Sequence, residues 1–231
     1  VFACQLAQDV ENHKKKLIGK KILEVKLDGV RAISILYPSG KVDIFSRNGK
    51  ELLNFDHLKD ILKESINENK IKVPTVLDGE IISDNFQNLM KQIHRKVTVQ
   101  NSDACLYLFD ILPFENFKKG FYEVEYTQRS DKLIEWYHSH IIDKKKVQII
   151  DKISVNLDND IGEEQFKQFN KDSIINGHEG IMIKDPNSFY ECKRSTTWLK
   201  SKPFIEISLK VTDFEVLILL SKPSILKFIS F

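Results

Sequence analysis

Residues 21–46 read KILEVKLDGVRAISILYPSGKVDIFS. Apolar residues cluster three times in this stretch: as Ile22, Leu23 and Val25, as Ile33, Ile35 and Leu36, and as Val42, Ile44 and Phe45. Pro38-Ser39-Gly40 separates the last two groups. Short apolar clusters bounded by turn residues predict one strand followed by a hairpin. Lys26 falls at the end of the first strand, with Glu24 two residues before it and the turn residues Asp28-Gly29 just after. Such a lysine has two readings: a turn lysine paired with Asp28, or an amine prepared for reaction. At pH 7 an ordinary lysine, with a pKa of about 10.4, supplies its neutral form at a cost of about 4.6 kcal/mol, so a reactive one needs desolvation or a nearby cation.

Working outward, Leu58, Ile61, Leu62 and Ile66 are spaced for one face of a helix, and Phe86, Leu89, Met90 and Ile93 fit the same template. Residues 75–83 form a β-rich run interrupted by Asp78, Gly79 and Glu80, and the run 106–112 is broken by Asp110. Asp78 and Asp110 are open between a role in a site and the capping of a turn. Leu133, Trp136, Tyr137 and His140 predict another helix, 147–150 a short strand, Phe166 and Phe169 a further helix, and 180–184 a last strand. Strands interleaved with helices over residues 1–203 suggest an α/β or α+β domain, and the hairpins favour substantial antiparallel pairing, hence the expectation of an α+β domain of antiparallel sheets flanked by helices. A boundary is expected near Pro203, after which 204–220 turns strand-rich.

Composition narrows the function classes. With 42% hydrophobic residues and only 9 Gly and 6 Pro among 231, the chain has the apolar material for a packed core and is not a disordered tail. Lys and Arg number 35 against 33 Asp and Glu, a net charge of +2, so a polyanion would be attracted only where positive charge clusters. Lys193, Arg194, Lys200 and Lys202 form such a cluster, read either as a track for a nucleic-acid backbone or as a solvated loop. Cys4, Cys105 and Cys192 are far apart and lack zinc-site or redox spacing, which fits a reducing cytosol. No apolar window is long enough to span a membrane. The first residue is Val, and the chain is read as a fragment.

Glu24-Val25-Lys26-Leu27-Asp28-Gly29-Val30-Arg31 is followed in order by Ser46-Arg47-Asn48-Gly49, Leu77-Asp78-Gly79-Glu80, Leu108-Phe109-Asp110, Glu179-Gly180-Ile181-Met182-Ile183-Lys184 and Trp198-Leu199-Lys200-Ser201-Lys202. Each motif is weak alone, but the ordered set resembles the covalent nucleotidyltransferase superfamily, and most closely the ATP-dependent DNA ligases of the compact bacteriophage kind. The resemblance covers residues 1–213 and implies an ATP-grasp-like adenylation domain. It implies that Lys26 is the nucleophile that attacks the α-phosphate of ATP, that Glu24 accepts from the adenine amine, and that Phe109 stacks on the base. Read from the residues alone, Phe109 is equally an aromatic of the core. Arg31 and Arg47 are implied as contacts to ribose and phosphates, Glu80 as a holder of ribose or metal, and Glu179 as a metal carboxylate. Lys184, Lys200 and Lys202 are implied as phosphate contacts. On a strand, Lys200 and Lys202 share one face. Hard carboxylate oxygens suit magnesium, which needs few protein ligands.

The reaction implied runs from lysyl-AMP, through transfer of AMP to the 5′-phosphate of nicked double-stranded DNA, to phosphodiester formation by the 3′-hydroxyl. A monomer acting in a prokaryotic or virus-infected cytoplasm, or in a nucleus, is the matching expectation. RNA ligases and capping enzymes share the lysine motif, and a nucleotide- or nucleic-acid-binding remnant without turnover is the competing class. Arg31 and Ser46-Arg47-Asn48-Gly49 favour the ATP-dependent over the NAD-dependent form. In the family an OB-fold domain follows this core. Here 209–214 resembles its first strand, yet the sequence given runs only 18 residues past Asp213, too few for five strands. The expectation is therefore a truncated OB-fold start or atypical tail over 204–231, with impaired sealing.

Overall fold

The computed structural model describes residues 4–68, 70–83, 89, 90, 100 and 102–203. The strands in chain order are β1 (Leu6–Asp9), β2 (Lys20–Lys26), β3 (Val30–Leu36), β4 (Val42–Phe45), β5 (Thr75–Ile82) and β6 (Cys105–Pro113). They continue with β7 (Phe121–Tyr122), β8 (Val147–Ile149), β9 (Lys152–Asn156), β10 (Gly180–Lys184), β11 (Tyr190–Glu191) and β12 (Arg194–Ser201). Among the described residues four α-helices are interspersed: α1 (Asp56–Glu68), α2 (Phe114–Lys119), α3 (Tyr126–His140) and α4 (Asp160–Ile175).

The strands make two five-stranded sheets, β1-β12-β10-β2-β9 and β4-β3-β5-β6-β8, and a small β11-β7 ribbon. The α+β expectation holds, with one refinement: the edge strands β1 and β8 pair in parallel with β12 and β6, so both sheets are mixed. The predicted hairpin is β3-β4. β2, by contrast, pairs with β9 and β10 in the other sheet. Leu27, Asp28 and Gly29 therefore cross from one sheet to the other, and Lys26 is not a hairpin lysine.

Three apolar cores account for the layers. Ala32, Leu36, Leu77, Leu106 and Leu108 of the second sheet pack with Leu58, Leu62 and Ile66 of α1 and Leu133 and Trp136 of α3. The opposite face, through Ile33, Ile35, Val76 and Phe109, meets Trp198 and Tyr190 between the sheets. Leu23, Ile181, Ile183 and Leu199 of the first sheet pack against Phe166 and Phe169 of α4. Covering on both faces explains why β3 reads as a nearly unbroken apolar run.

The helices predicted around Leu58, Leu133 and Phe166 are α1, α3 and α4. The helix predicted over 86–93 and the stretch 204–231, including the expected OB-fold start, fall largely or wholly outside the described residues. Turn capping is ruled out for Asp78 and Asp110. Both are fully buried within strands, Asp78 against Arg31 and Tyr190, and Asp110 against Arg129.

Candidate active site

The strand period of two builds one wall of a cleft. On β2 it turns Glu24 and Lys26 to the same side, on β10 Met182 and Lys184, and on β12 Trp198 and Lys200. Registry aligns these pairs across the sheet, Met182 opposite both Glu24 and Lys200, and Lys184 opposite Trp198. Lys202 continues the row just past the end of β12. Arg31 of β3, Glu80 of β5 and Phe109 of β6 line the facing wall.

Two local features fix that facing wall. β5 and β6 shift register between Asp78, opposite Asp110, and Gly79, opposite Leu108, which leaves Phe109 as the extra residue of a bulge. A bulge of this kind re-aims a side chain, here into the inter-sheet space. A Cβ on Gly29 would lie 2.3 Å from the Ile81 carbonyl oxygen, so the crossing from β2 to β3 passes too close to β5 for any side chain. Above the cleft, the Ser46 amide donates to Lys50 O (2.8 Å) and the Gly49 amide to Ser46 O (2.9 Å), a turn that holds Arg47 at the rim.

The cavity measures about 760 Å³ and is lined by all ten residues to which the resemblance assigns a role: Glu24, Lys26, Arg31, Arg47, Glu80, Phe109, Glu179, Lys184, Lys200 and Lys202. Lys26 Nζ contacts Glu179 Oε2, and the other oxygen of Glu179 takes Lys202 Nζ. The partner of Lys26 is thus Glu179, 153 residues away, rather than Asp28. The Glu179 amide donates to Lys26 O at 2.9 Å, which ties the two ends together through the backbone as well. Gly180 follows at φ 138°, where a Cβ would sit 2.0 Å from Ser201 O, so Glu179 enters β10 on a backbone that only glycine permits. Burial pushes the Lys26 pKa down, while the carboxylates of Glu80 and Asp28 oppose it. Burial also pushes Glu80 up to about 7, against the opposing charges of Arg31 and Lys26.

Lys184 separates from the other predicted phosphate contacts. It is 1% exposed, pairs with Glu24 Oε2 at 2.7 Å, and sits 4.1 Å from the Trp198 ring centroid, 4.5 Å from Tyr126 and 4.7 Å from Phe109. Burial lowers its pKa, with Glu24 the main opposing charge. Arg31 likewise is not a free prong: Nε and Nη2 fork onto Asp78 at 2.5 and 2.6 Å, and its guanidinium lies 4.7 Å from the Phe109 ring centroid. Of the remaining two, Lys202 contacts Glu179 and Lys200 lines the same cleft.

Four supporting residues escaped the sequence reading: Tyr126, whose hydroxyl donates to Glu24; Tyr190, whose hydroxyl donates to Asp78 at 2.6 Å; Arg129, which forks onto Asp110; and Gln5, whose carbonyl takes Arg31 Nη2 at 3.2 Å. They act behind the cleft and carry no motif spacing. The unexplained acids Asp78 and Asp110 were the available signal that buried cations lay nearby.

The family model for the ATP dependent DNA ligase domain matches residues 2–202. DNA ligase 2 of Haloquadratum walsbyi is 29% identical over 206 residues, covering 84% of this chain and 30% of that protein. The solved structure named Pmar-Lig_PreS3 superposes with a TM-score of 0.88 at 47% identity, over 93% of this chain and 49% of that one. The ATP-dependent DNA ligase from bacteriophage T7, solved in complex with ATP, shares the fold at a TM-score of 0.66 and 21% identity, over 87% of this chain and 69% of that one. The chain spans about a third of the length of the curated relatives it matches.

Proposed function

The chain belongs to the ATP-dependent DNA ligase family, and on that premise we propose that it is the adenylating unit of such an enzyme, with Lys26 as its nucleophile. The observation that carries this reading is the convergence of Lys26, Glu80 and Glu179 with Lys200 and Lys202 in one cleft between the sheets. Neutral Lys26 Nζ attacks the α-phosphorus of ATP. A P–N bond forms, the bond to the bridging oxygen breaks, and pyrophosphate leaves. Burial of Lys26 already favours the neutral amine. Lys200 and Lys202 hold the phosphates in line, Phe109 and Met182 bracket the base, and Glu24 accepts from its exocyclic amine. AMP then passes to the 5′-phosphate of a nick in duplex DNA, and the 3′-hydroxyl displaces it. All three steps are displacements at phosphorus, where alignment and charge stabilisation dominate.

Glu80 and Glu179 flank Lys26 and offer only hard oxygen donors, a set that fits magnesium completed by phosphate oxygens and water. When bound there, the ion supplies positive charge that lowers the lysine pKa and neutralises the α-phosphate. The proposed setting is a monomer acting on nicked duplex DNA, in the cytoplasm of a prokaryotic or virus-infected cell or in a nucleus. Among the described residues no helix is long and apolar enough to cross a membrane.

The test is incubation with α-labelled ATP and magnesium, followed by denaturation. Label that survives on the chain, maps to Lys26 and disappears in Lys26→Ala supports the reading. ATP bound without covalent label refutes it in favour of a binding module.

A further inference from the structure

We infer that Tyr126 is a positioning residue for purine selectivity: its hydroxyl fixes Glu24 as a pure hydrogen-bond acceptor facing the cleft, so that the site takes a 6-amino purine nucleotide and rejects its 6-oxo counterpart. The inference rests on the reading of the cleft as a nucleotide site with Glu24 opposite the exocyclic group.

Glu24 lines the cleft yet is 1% exposed, and both of its oxygens are already engaged, one by Lys184 of the same wall and one by Tyr126 from behind it. Oε2 takes Lys184 Nζ at 2.7 Å, and Oε1 takes the Tyr126 hydroxyl. Lys184 Nζ also lies 3.3 Å from the Tyr126 oxygen, which closes a three-membered ring of contacts. Proton directions within that ring follow from the chemistry of its members. An ammonium only donates, so it occupies a lone pair of the hydroxyl and leaves the hydroxyl proton for the carboxylate. Burial holds the Tyr126 pKa well above its ordinary value, which keeps that proton in place.

The carboxylate of Glu24 accepts from both the ammonium and the hydroxyl. Its remaining lone pairs can meet an N–H donor and can offer nothing to a carbonyl oxygen. A protonated Glu24 would lose this discrimination, because its own O–H could donate to a 6-oxo group. The hydroxyl also has little freedom to swing away. Tyr126 opens α3, whose next residue, Thr127, donates to Pro186 O from its amide (3.0 Å) and its Oγ1 (2.7 Å), and Arg129 one turn on is bound to Asp110.

The experiment compares the dissociation constants of ATP and ITP for the chain and for Tyr126→Phe, with magnesium present. The wild-type chain should prefer ATP, and Tyr126→Phe should shrink the ITP-to-ATP ratio by about tenfold or more, the range for losing a hydrogen bond to a charged group. Tyr190→Phe deletes a buried hydroxyl of the same kind that holds Asp78 instead, and it should leave the ratio unchanged even where affinity for both nucleotides falls. A second measurement needs no substitution: in the wild-type chain the 13Cζ resonance of Tyr126 should shift on saturation with ATP and not with ITP. A ratio unchanged in folded Tyr126→Phe, or a resonance that responds equally to both nucleotides, overturns the inference and leaves the nucleotide site standing. A wild-type chain that binds neither nucleotide overturns both.

Discussion

Replacing Arg129 by methionine should destabilise the protein by about 3–5 kcal/mol, the cost of breaking a buried ion pair on one side. Arg129 and Asp110 are both 0% exposed, and the guanidinium is fully used. Nε and Nη2 fork onto the two Asp110 oxygens at 2.8 and 2.9 Å, while Nη1 reaches the carbonyls of Val124 and Ser188. Methionine fills much of the volume but donates nothing. Among the described residues, Asp110 would keep only its bond from the Ile111 amide (2.9 Å), and one buried and one part-buried carbonyl would lose a donor. For a domain of this size each kcal/mol corresponds to about 2–4 °C, so the melting temperature should fall by about 6–20 °C.

Urea unfolding at pH 7 with Asp110→Asn, Arg129→Met and the double variant Asp110→Leu/Arg129→Met gives the decisive comparison. The double variant should recover much of the loss, because a buried pair replaced on both sides by apolar groups is often close to neutral. Arg129→Met within about 1 kcal/mol of wild type, or a double variant as unstable as the sum of the two single changes, would refute the account of this pair. The consequence reaches the cleft, since Asp110 directly follows the bulged Phe109 and Arg129 sits one turn beyond Tyr126.

Glu80→Gln should show a pH-dependent gain in stability. The folded-state pKa near 7 lies above the ordinary 4.5, so the stability owed to neutral Glu80 is full below pH 4.5 and lost as pH rises through 7. Relative to wild type, the amide should add nothing at pH 4.5 and at most about 3 kcal/mol at pH 8, and a difference flat with pH in urea titrations would sink the claim. Lys202→Ala should slow adenylate formation at least tenfold while shifting stability by less than about 1 kcal/mol, since its ion pair with Glu179 is partly exposed. Equal loss of thermal stability with unchanged AMP chemistry would count against its role. Gly29→Ala forces a Cβ to within 2.3 Å of a backbone oxygen and should cost about 1–3 kcal/mol together with lysine adenylation, read by thermal melting and label incorporation.

What the sequence made legible was local. Lys26 and Glu24 share a face because they are two apart on a strand, and Lys200 and Lys202 do so for the same reason. The helical faces of Leu58 and Leu133 follow from spacing alone. Choice of partner was not legible. Nothing in 24–31 distinguishes a hairpin from a crossing between sheets, because β2 finds its neighbours in β9 and β10, more than 120 residues later. The role of Asp110 stayed open between site and turn cap because its cation lies on α3, placed beside it only by tertiary packing. The bulge that aims Phe109 arises from a mismatch between two strands, so neither strand shows it alone.

The net charge of +2 concealed the site for a related reason, since the cleft sorts its charges by position instead of accumulating one sign. Deep in it, Glu24 and Lys184 neutralise each other and are sealed by three aromatic rings, which leaves a surface suited to an uncharged base with directional polar groups. At the mouth, Lys26 and Lys202 share the carboxylate of Glu179, and with Lys200 and Arg47 they outnumber the acids Glu179, Glu80 and Asp28, so the balance there is positive. A ligand that is neutral and aromatic at one end and polyanionic at the other fits both halves in only one orientation. Under the proposed function, that orientation would lay the phosphates of ATP along the lysine row that contains Lys26. Glu179 is the pivot of the arrangement: its two carboxylate oxygens contact Lys26 and Lys202, one each, and so join the lysine at the end of β2 to the one just past β12.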